Sequence, residues 1–304
     1  MATITFNCPK CNYLCAFKDI YVGRRARCLR CDQVFIIPQN DGAAAQKIKE
    51  PKEFEEPLPG FYEAVFKKSW PAIFNKQSLV TLFFILLLTA IKFFTIHLDY
   101  STKITGQSGA SFTIHMPFGW AVAFFVWGGI FWCYAEIVYA TAFDLEPLPQ
   151  IYFGGGFGYL AKVIKSFYSF FIALSIVLLP AIIVRMIGIQ SKWVVLPFIV
   201  LGMFLFPMAV LTVSIGRDLL MLFRPDYFFC PVKKAFWHYL FLAVLFILVW
   251  QLQYASLNYE DVAEQPDLVI LLHLIAVLAI QILAVFTMRV TGLFYRHFTC
   301  FFKW

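Results

Sequence analysis

Six stretches of this chain are too apolar and too long to be hidden inside a water-soluble fold of this size. They are residues 79–98, 118–143, 167–184, 193–215, 236–254 and 268–288. About 20 apolar residues in a helix cross the roughly 30 Å of bilayer hydrocarbon. Inside hydrocarbon no water can satisfy backbone N–H and C=O groups, so a spanning segment must satisfy its own, as a helix does. The expected fold class is an all-α polytopic membrane protein, with about six transmembrane helices in three hairpins. Composition agrees, with 61% of residues hydrophobic and 14% charged, against roughly 45–50% and about 25% in soluble domains. The excess begins after residue 76, and the residues before it are polar and charged.

The polar head carries a metal-site pattern. Cys8-Pro9-Lys10-Cys11 and Cys28-Leu29-Arg30-Cys31 are two C-x-x-C knuckles with 16 residues between them. Each such turn offers two thiolates to one ion, and zinc takes four ligands tetrahedrally. Cys8, Cys11, Cys28 and Cys31 are the expected ligands of a structural zinc. Two disulfides are the alternative; they require export, for which the first residues give no signal peptide. A redox role is weaker still, since one pair would serve. Residues 4–6 and 14–17 flank the first knuckle as strands, Gly23 marks a turn, and residues 34–37 form a last strand ended by Pro38. So few residues bury little core, and the metal is expected to supply most of the folding energy. Cys15 is read as a packing residue, with a substitute ligand as the other option. Arg24, Arg25, Arg27 and Arg30 make a basic face. It suits solvent or anionic headgroups better than nucleic acid, which would call for interleaved exposed aromatics.

The domain reading is a ribbon over residues 1–38, a linker over 39–60 and a membrane domain over 61–304. The linker holds four prolines in residues 38–60, mixed charge and few apolar residues, and is expected to be flexible.

Lys and Arg set orientation. One side collects Lys67, Lys68, Lys76, Lys162, Lys165, Arg217, Arg224, Lys233, Lys234, Arg289, Arg296 and Lys303. The other holds Lys103, Arg185, Lys192 and an acidic last loop of Glu260, Asp261, Glu264 and Asp267. Both termini are therefore expected in the cytosol, with the body in the bacterial inner membrane; a reducing cytosol also keeps the four thiols available to zinc. Arg185 and Lys192 are the exceptions, and a shallow re-entrant third or fourth segment is the alternative. Glu56-Pro57-Leu58-Pro59 recurs as Glu146-Pro147-Leu148-Pro149, and lysine beside aromatics precedes each hairpin. Interfacial segments with snorkelling lysines account for the latter.

Glu136 lies inside the second span, where an ionisable group is costly and a functional candidate. The structural alternative is an ion pair with Arg217 or Arg289. Lys92, near the outer end of the first span, is expected to snorkel outward. His273 and Gln281 share a face of the last span and should serve helix–helix hydrogen bonding. Arg217-Asp218 reads as a local ion pair, Pro180, Pro197 and Pro207 should kink spans three and four, and Cys133, Cys230 and Cys300 read as packing residues. Gly154-Gly155-Gly156-Phe157-Gly158 lacks the Gly-Lys-Ser/Thr of a phosphate loop and is expected to be a loop. No hydrolase or zinc-protease motif is present, so no enzyme is expected.

Residues 4–38, with Phe6-x-Cys-Pro-x-Cys, Gly23-Arg24-Arg25-Ala26-Arg27-Cys28-x-x-Cys31 and Val34-Phe35, resemble a short prokaryotic zinc ribbon found at the N-terminus of otherwise unrelated bacterial membrane proteins. The family often has Pro and Gly around the second knuckle, where this chain has Leu29 and Asp32. The body is similar to multi-span bacterial membrane proteins of unknown function, distantly like the Yip family. Pro59-Gly60-Phe61-Tyr62-Glu63-Ala64 and Phe206-Pro207-Met208-Ala209-Val210-Leu211 carry that resemblance, which implies no activity. The functional expectation is a scaffold or anchor whose ribbon docks a cytosolic protein and whose bundle has the capacity to oligomerise. The alternatives are a small-solute transporter or channel built on Glu136 and the kinked spans, and, more weakly, a membrane-tethered nucleic-acid sensor.

Overall fold

The computed structural model describes residues 3–9, 14–18, 23, 25–27, 34–38, 46–47, 56–95, 100–105, 111–116, 118–145, 148–149, 156–189, 191–216, 221–222, 225–257 and 266–302. The chain divides into two compact units, Met1–Glu53 and Phe54–Trp304.

The first unit is built from short antiparallel strands. β1 (Thr3–Asn7) pairs with β2 (Leu14–Lys18), and β3 (Arg25–Arg27) with β4 (Val34–Ile36). The last pair of the first hairpin is Asn7 with Leu14, and that of the second is Arg27 with Val34. Each C-x-x-C knuckle therefore falls in a six-residue connection, 8–13 or 28–33. Phe6, Phe17 and Phe35 form a ring cluster with centroids 5.2–6.2 Å apart. Cys15 stands opposite Phe6 and is buried with it, a packing position. Gly23 takes φ +71° and donates its amide to the Ile37 carbonyl at 3.0 Å, a turn that a side chain at this φ would strain. Within the linker, β5 (Gln46–Lys47) pairs with β4.

Among its described residues the second unit holds six helices long and apolar enough to cross a membrane, which makes this a multi-pass membrane protein in contact with lipid. A short amphipathic entry, α1 (Phe61–Glu63), one wide turn over Ala64–Lys68 and α2 (Ser69–Ile73), leads into α3 (Lys76–Thr95). Then follow α4 (Phe118–Ala142), α5 (Gly156–Met186), α6 (Lys192–Gly216), the short α7 (Pro225–Lys234), α8 (Phe236–Leu257) and α9 (Asp267–His297). α3 packs on α4, α5 on α6, and α8 on α9, while α4 also meets α5, α6 and α9 and so lies at the centre.

Two helix ends differ most from expectation. The third apolar stretch, shortest in sequence, belongs to a 31-residue helix, about 46 Å long. α5 starts at Gly156, so Gly156, Phe157 and Gly158, expected in a loop, form its first turn. Tertiary contact decides this: Val163 packs fully buried against Gly128 of α4. α9 likewise runs nine residues past Met288, because Arg289, Val290, Thr291, Leu293 and Phe294 are all buried. Between α3 and α4 stands a β-hairpin, β6 (Tyr100–Thr105) with β7 (Ser111–Met116), in a stretch for which hydropathy gives no element. α5 and α6 are each continuous through their prolines. The Tyr239 hydroxyl of α8 donates to the Phe204 carbonyl, one residue beyond the Met203 carbonyl that Pro207 leaves without its helical donor.

Hydroxyls inside the body mostly turn back on their own helices. Thr89 donates to Ile85, Ser175 to Phe171, Thr212 to Met208 and Thr291 to Thr287, each to the carbonyl four residues earlier. That is how a polar side chain is satisfied where water is absent. Exposed aromatics gather at both ends of the bundle, Trp70 and Trp237 at one and Trp193 and Tyr254 at the other, as interfacial side chains do.

Close approach holds the helices together. A Cβ on Gly128 would stand 2.6 Å from the Val163 carbonyl oxygen of α5, and one on Gly292 of α9 2.6 Å from the Val138 carbonyl oxygen of α4. Both obstacles are backbone and cannot move without parting helices. Gly128→Val and Gly292→Val should each destabilise the detergent-solubilised protein by about 1–3 kcal/mol, while Val200→Ala on the exposed face should not. Thermal unfolding of the three variants beside the parent checks this; equal melting temperatures would refute close packing at these glycines.

Candidate functional site

α4 and α9 run side by side in the same direction. The Gln281 amide donates to the Tyr134 hydroxyl at 2.6 Å, and further along Val138, Thr141 and Ala142 close on Gly292. The helix–helix hydrogen bond expected of Gln281 is thus present, with Tyr134 as its partner; in the same helix His273 lies beside Phe93 of α3, ring centroids 5.7 Å apart. Gln281 and Tyr134 are both buried. Such a pair is worth up to 1–2 kcal/mol in a bilayer.

Glu136 is half a turn from that seam. It shares a face of α4 with Gly129 and Trp132, seven and four residues earlier. There Gly129 meets Tyr159 of α5 and Leu88 of α3, and the Lys162 ammonium lies 4.7 Å from the Trp132 ring centroid. Arg289 is on α9, one turn before Gly292, and only 2% exposed. Arg217, the other partner considered for Glu136, and Asp218 lie outside the described residues, as do Cys11, Cys28 and Cys31.

Lys92 departs from the outward reach expected of it. Its ammonium turns inward and sits 4.3 Å from the centroid of the Trp127 ring, where the negative face of the indole attracts a cation. It lines a small cavity of about 30 Å³ between α3, α4, α8 and α9, together with Thr89, Trp127, Gln253, Ser256 and Gln281.

At the end of the bundle where α4 and α9 finish, the Glu-Pro-Leu-Pro repeat shows its use. The Leu58 amide donates to the His297 carbonyl at 2.8 Å, and His297 Nδ1 donates to the Leu58 carbonyl at 3.0 Å. In the second copy the Leu148 amide donates to the Ser78 hydroxyl at 3.2 Å, and the Thr81 hydroxyl to the Pro149 carbonyl at 2.7 Å. The described part of each copy, residues 56–59 and 148–149, is hydrogen-bonded to a helix near its end. An open cavity of about 330 Å³ lies between residues 57–60, Lys234, His238 and Phe301. Cys300 is near it, and burial pushes its thiol pKa up, away from reactive thiolate chemistry. Cys133, Cys230 and Cys300 form no disulfide.

Sequence reasoning missed Asp144. It ends α4 with φ +57°, and the Leu145 amide closes on the Ala140 carbonyl at 2.8 Å. This is a left-handed helix cap where glycine is usual. The carboxylate explains the aspartate: Asp144 Oδ1 lies 2.6 Å from Arg296 Nη1 of α9. Asp beside an arginine one helix away leaves no local pattern in the sequence.

Among the described residues no three His, Cys, Asp or Glu side chains come together as a metal would require; of the four thiols only Cys8, buried at the end of β1, is described. Comparison with protein-family models, with curated proteins and with solved structures finds no match.

The cap separates two contributions. Asp144→Ala loses the ion pair and keeps the left-handed strain, whereas Asp144→Gly loses the pair and relieves the strain. Asp144→Ala should melt below Asp144→Gly by an amount equivalent to about 1 kcal/mol, with the partly exposed pair itself worth at most about 1 kcal/mol. Equal melting temperatures would contradict a strained cap.

Proposed function

We propose that the protein is a membrane anchor that holds a zinc ribbon at the cytosolic face of the bacterial inner membrane as a docking module. The observation that carries the reading is the division of labour between two units. The body has a continuous packed core, with Tyr239, Phe294, Ile130, Ile137 and Leu211 among its fully buried side chains, as an anchor requires. Support for the ribbon comes from the pairing of β1 with β2 and of β3 with β4, since in sequence each Cys pair falls between two such strands. Cys8, Cys11, Cys28 and Cys31 would bind one zinc, which ties two hairpins that bury few side chains on their own. No catalytic role is assigned to any residue.

A second reading, a small-solute transporter, has one observation in its favour. Glu136 lies on the central helix α4, which packs against α5 and α6 with their Pro180, Pro197 and Pro207. Solute flux in proteoliposomes that vanishes in Glu136→Gln would select it.

The anchor reading is tested on the full chain purified in mild detergent. The parent should hold about one zinc per chain and co-purify with a cytosolic protein. Cys28→Ser should lose most of the zinc and the companion while staying in the membrane fraction. A parent without zinc, or a variant that keeps the companion undiminished, would overturn it.

A further inference from the structure

The open cavity of about 330 Å³ at the end of α9 is of a size that seats small ligands. Leu58, Phe61, Phe298 and Phe301 supply apolar wall, and Lys234 and His238 supply charge and hydrogen-bonding capacity. The Lys234 ammonium rests 5.1 Å from the Phe301 ring centroid. The His238 ring packs on Tyr62 at 5.1 Å and on Phe298 at 4.8 Å.

Formal charge around this cavity is positive. Lys68, Lys233 and Lys234 are exposed, and the groups acting electrostatically on the neighbouring His297 are Arg296, Lys68 and His238. Two carboxylates at this end are already paired, Glu63 with Lys67 at 3.3 Å and Asp144 with Arg296 at 2.6 Å. The exposed Glu56 is the other described carboxylate here. Against it stand three lysines that have no carboxylate partner among the described residues. The backbone groups of Leu58 are spent on His297. Pro57 and Pro59 add carbonyls to the wall; these are uncharged, cancel no lysine, and suit hydroxyl donors.

An exposed apolar track leads away from the cavity. Tyr62 touches both His238 and Phe241, and Phe241 meets Phe66. Val244 and Leu248 follow Phe241 on the same face of α8, and both are exposed, as is Phe66. Trp237, exposed beside His238, marks headgroup depth. Clustered cations at that depth, above an apolar track, are how a membrane protein receives an anionic lipid.

We propose that the cavity seats the headgroup of an anionic glycerol-bearing phospholipid of the phosphatidylglycerol class. Its phosphate lies against Lys234 and His238, with Lys68 and Lys233 adding to the attraction. The glycerol hydroxyls face the Pro57 and Pro59 carbonyls, and an acyl chain follows Phe241, Val244 and Leu248. The site holds whether or not the ribbon docks a partner.

The test adds short-chain phosphatidylglycerol, phosphatidylcholine of the same chains, or glycerol phosphate to the full-length protein in mild detergent. Phosphatidylglycerol should raise the melting temperature by several degrees along a saturating curve, since it binds the folded state. The other two should leave it nearly unchanged. Lys234→Gln, at an exposed position, should weaken the phosphatidylglycerol response by about fivefold, the worth of one lysine charge near an anionic headgroup. Lys192→Gln, exposed at the other end of the bundle, should respond as the parent does. Native mass spectrometry should find one phosphatidylglycerol retained per parent chain and fewer on Lys234→Gln. Equal stabilisation by phosphatidylcholine would reduce the effect to general lipid contact, and equal stabilisation by glycerol phosphate would make it a site for free phosphate. Either result, or an undiminished response in Lys234→Gln, would overturn the proposal.

Discussion

How closely neighbouring backbones can approach α4 governs the membrane body. Lipid tails are as apolar as leucine, so burying a leucine between helices gains little; contact area and hydrogen bonds must hold the bundle. Gly128 lets α5 reach the α4 backbone, Gly292 lets α9 reach it from another side, and Gly202 brings α6 against the Val177 carbonyl of α5. With those distances set, the aromatic side chains interdigitate around them. Phe131 stacks on Phe170 with centroids 4.7 Å apart, and Trp70 of α2 on Phe286 of α9 at the same separation. The entry segment before α3 thereby becomes part of the bundle.

Polar groups are handled according to depth. Midway, Gln281 and Tyr134 satisfy each other across α4 and α9. Lys92 is placed on an indole face. At the end of the bundle, where side chains approach water, Asp144 and Arg296 form a partly exposed ion pair. The two Glu-Pro-Leu-Pro copies serve one purpose there. Proline disfavours a helix at each copy, and the backbone groups of Leu58, Leu148 and Pro149 bond a neighbouring helix instead. In one copy the partner is the C-terminus of α9, in the other the first two turns of α3.

The sequence disclosed the spans because the rule that reveals them is a rule about backbone: a long apolar stretch has few alternatives to a helix. It disclosed their ends poorly. Hydropathy stops at the first charge, Lys165 for α5 and Arg289 for α9, while the helix continues as long as a neighbour covers it. The β6–β7 hairpin was legible in principle, since Tyr100, Thr102 and Ile104 alternate on one side of a Gly-Gln-Ser-Gly stretch and Phe112, Ile114 and Met116 on the other; a reading of apolar runs passes over it. Lys92 shows a limit of another kind. Position along a helix says how far a lysine is from water, and the indole ring that redirects it lies 35 residues away in sequence. Asp144 is the same case, its meaning residing in Arg296. In the first unit the first hairpin, the last strand and the turn at Gly23 followed from the residues, because local pairing and positive φ leave local marks, whereas β3 lay hidden in a stretch read only as a basic face.

The account stands on α4 as the helix that the others enclose. Hydrogen–deuterium exchange of the intact protein in detergent measures this directly, because local opening exposes amides in order of how little they are covered. The amides of residues 126–142 should exchange slowest in the membrane body, more slowly than those of α3 and α8. Exchange in α4 as fast as in α3 and α8 would contradict the account.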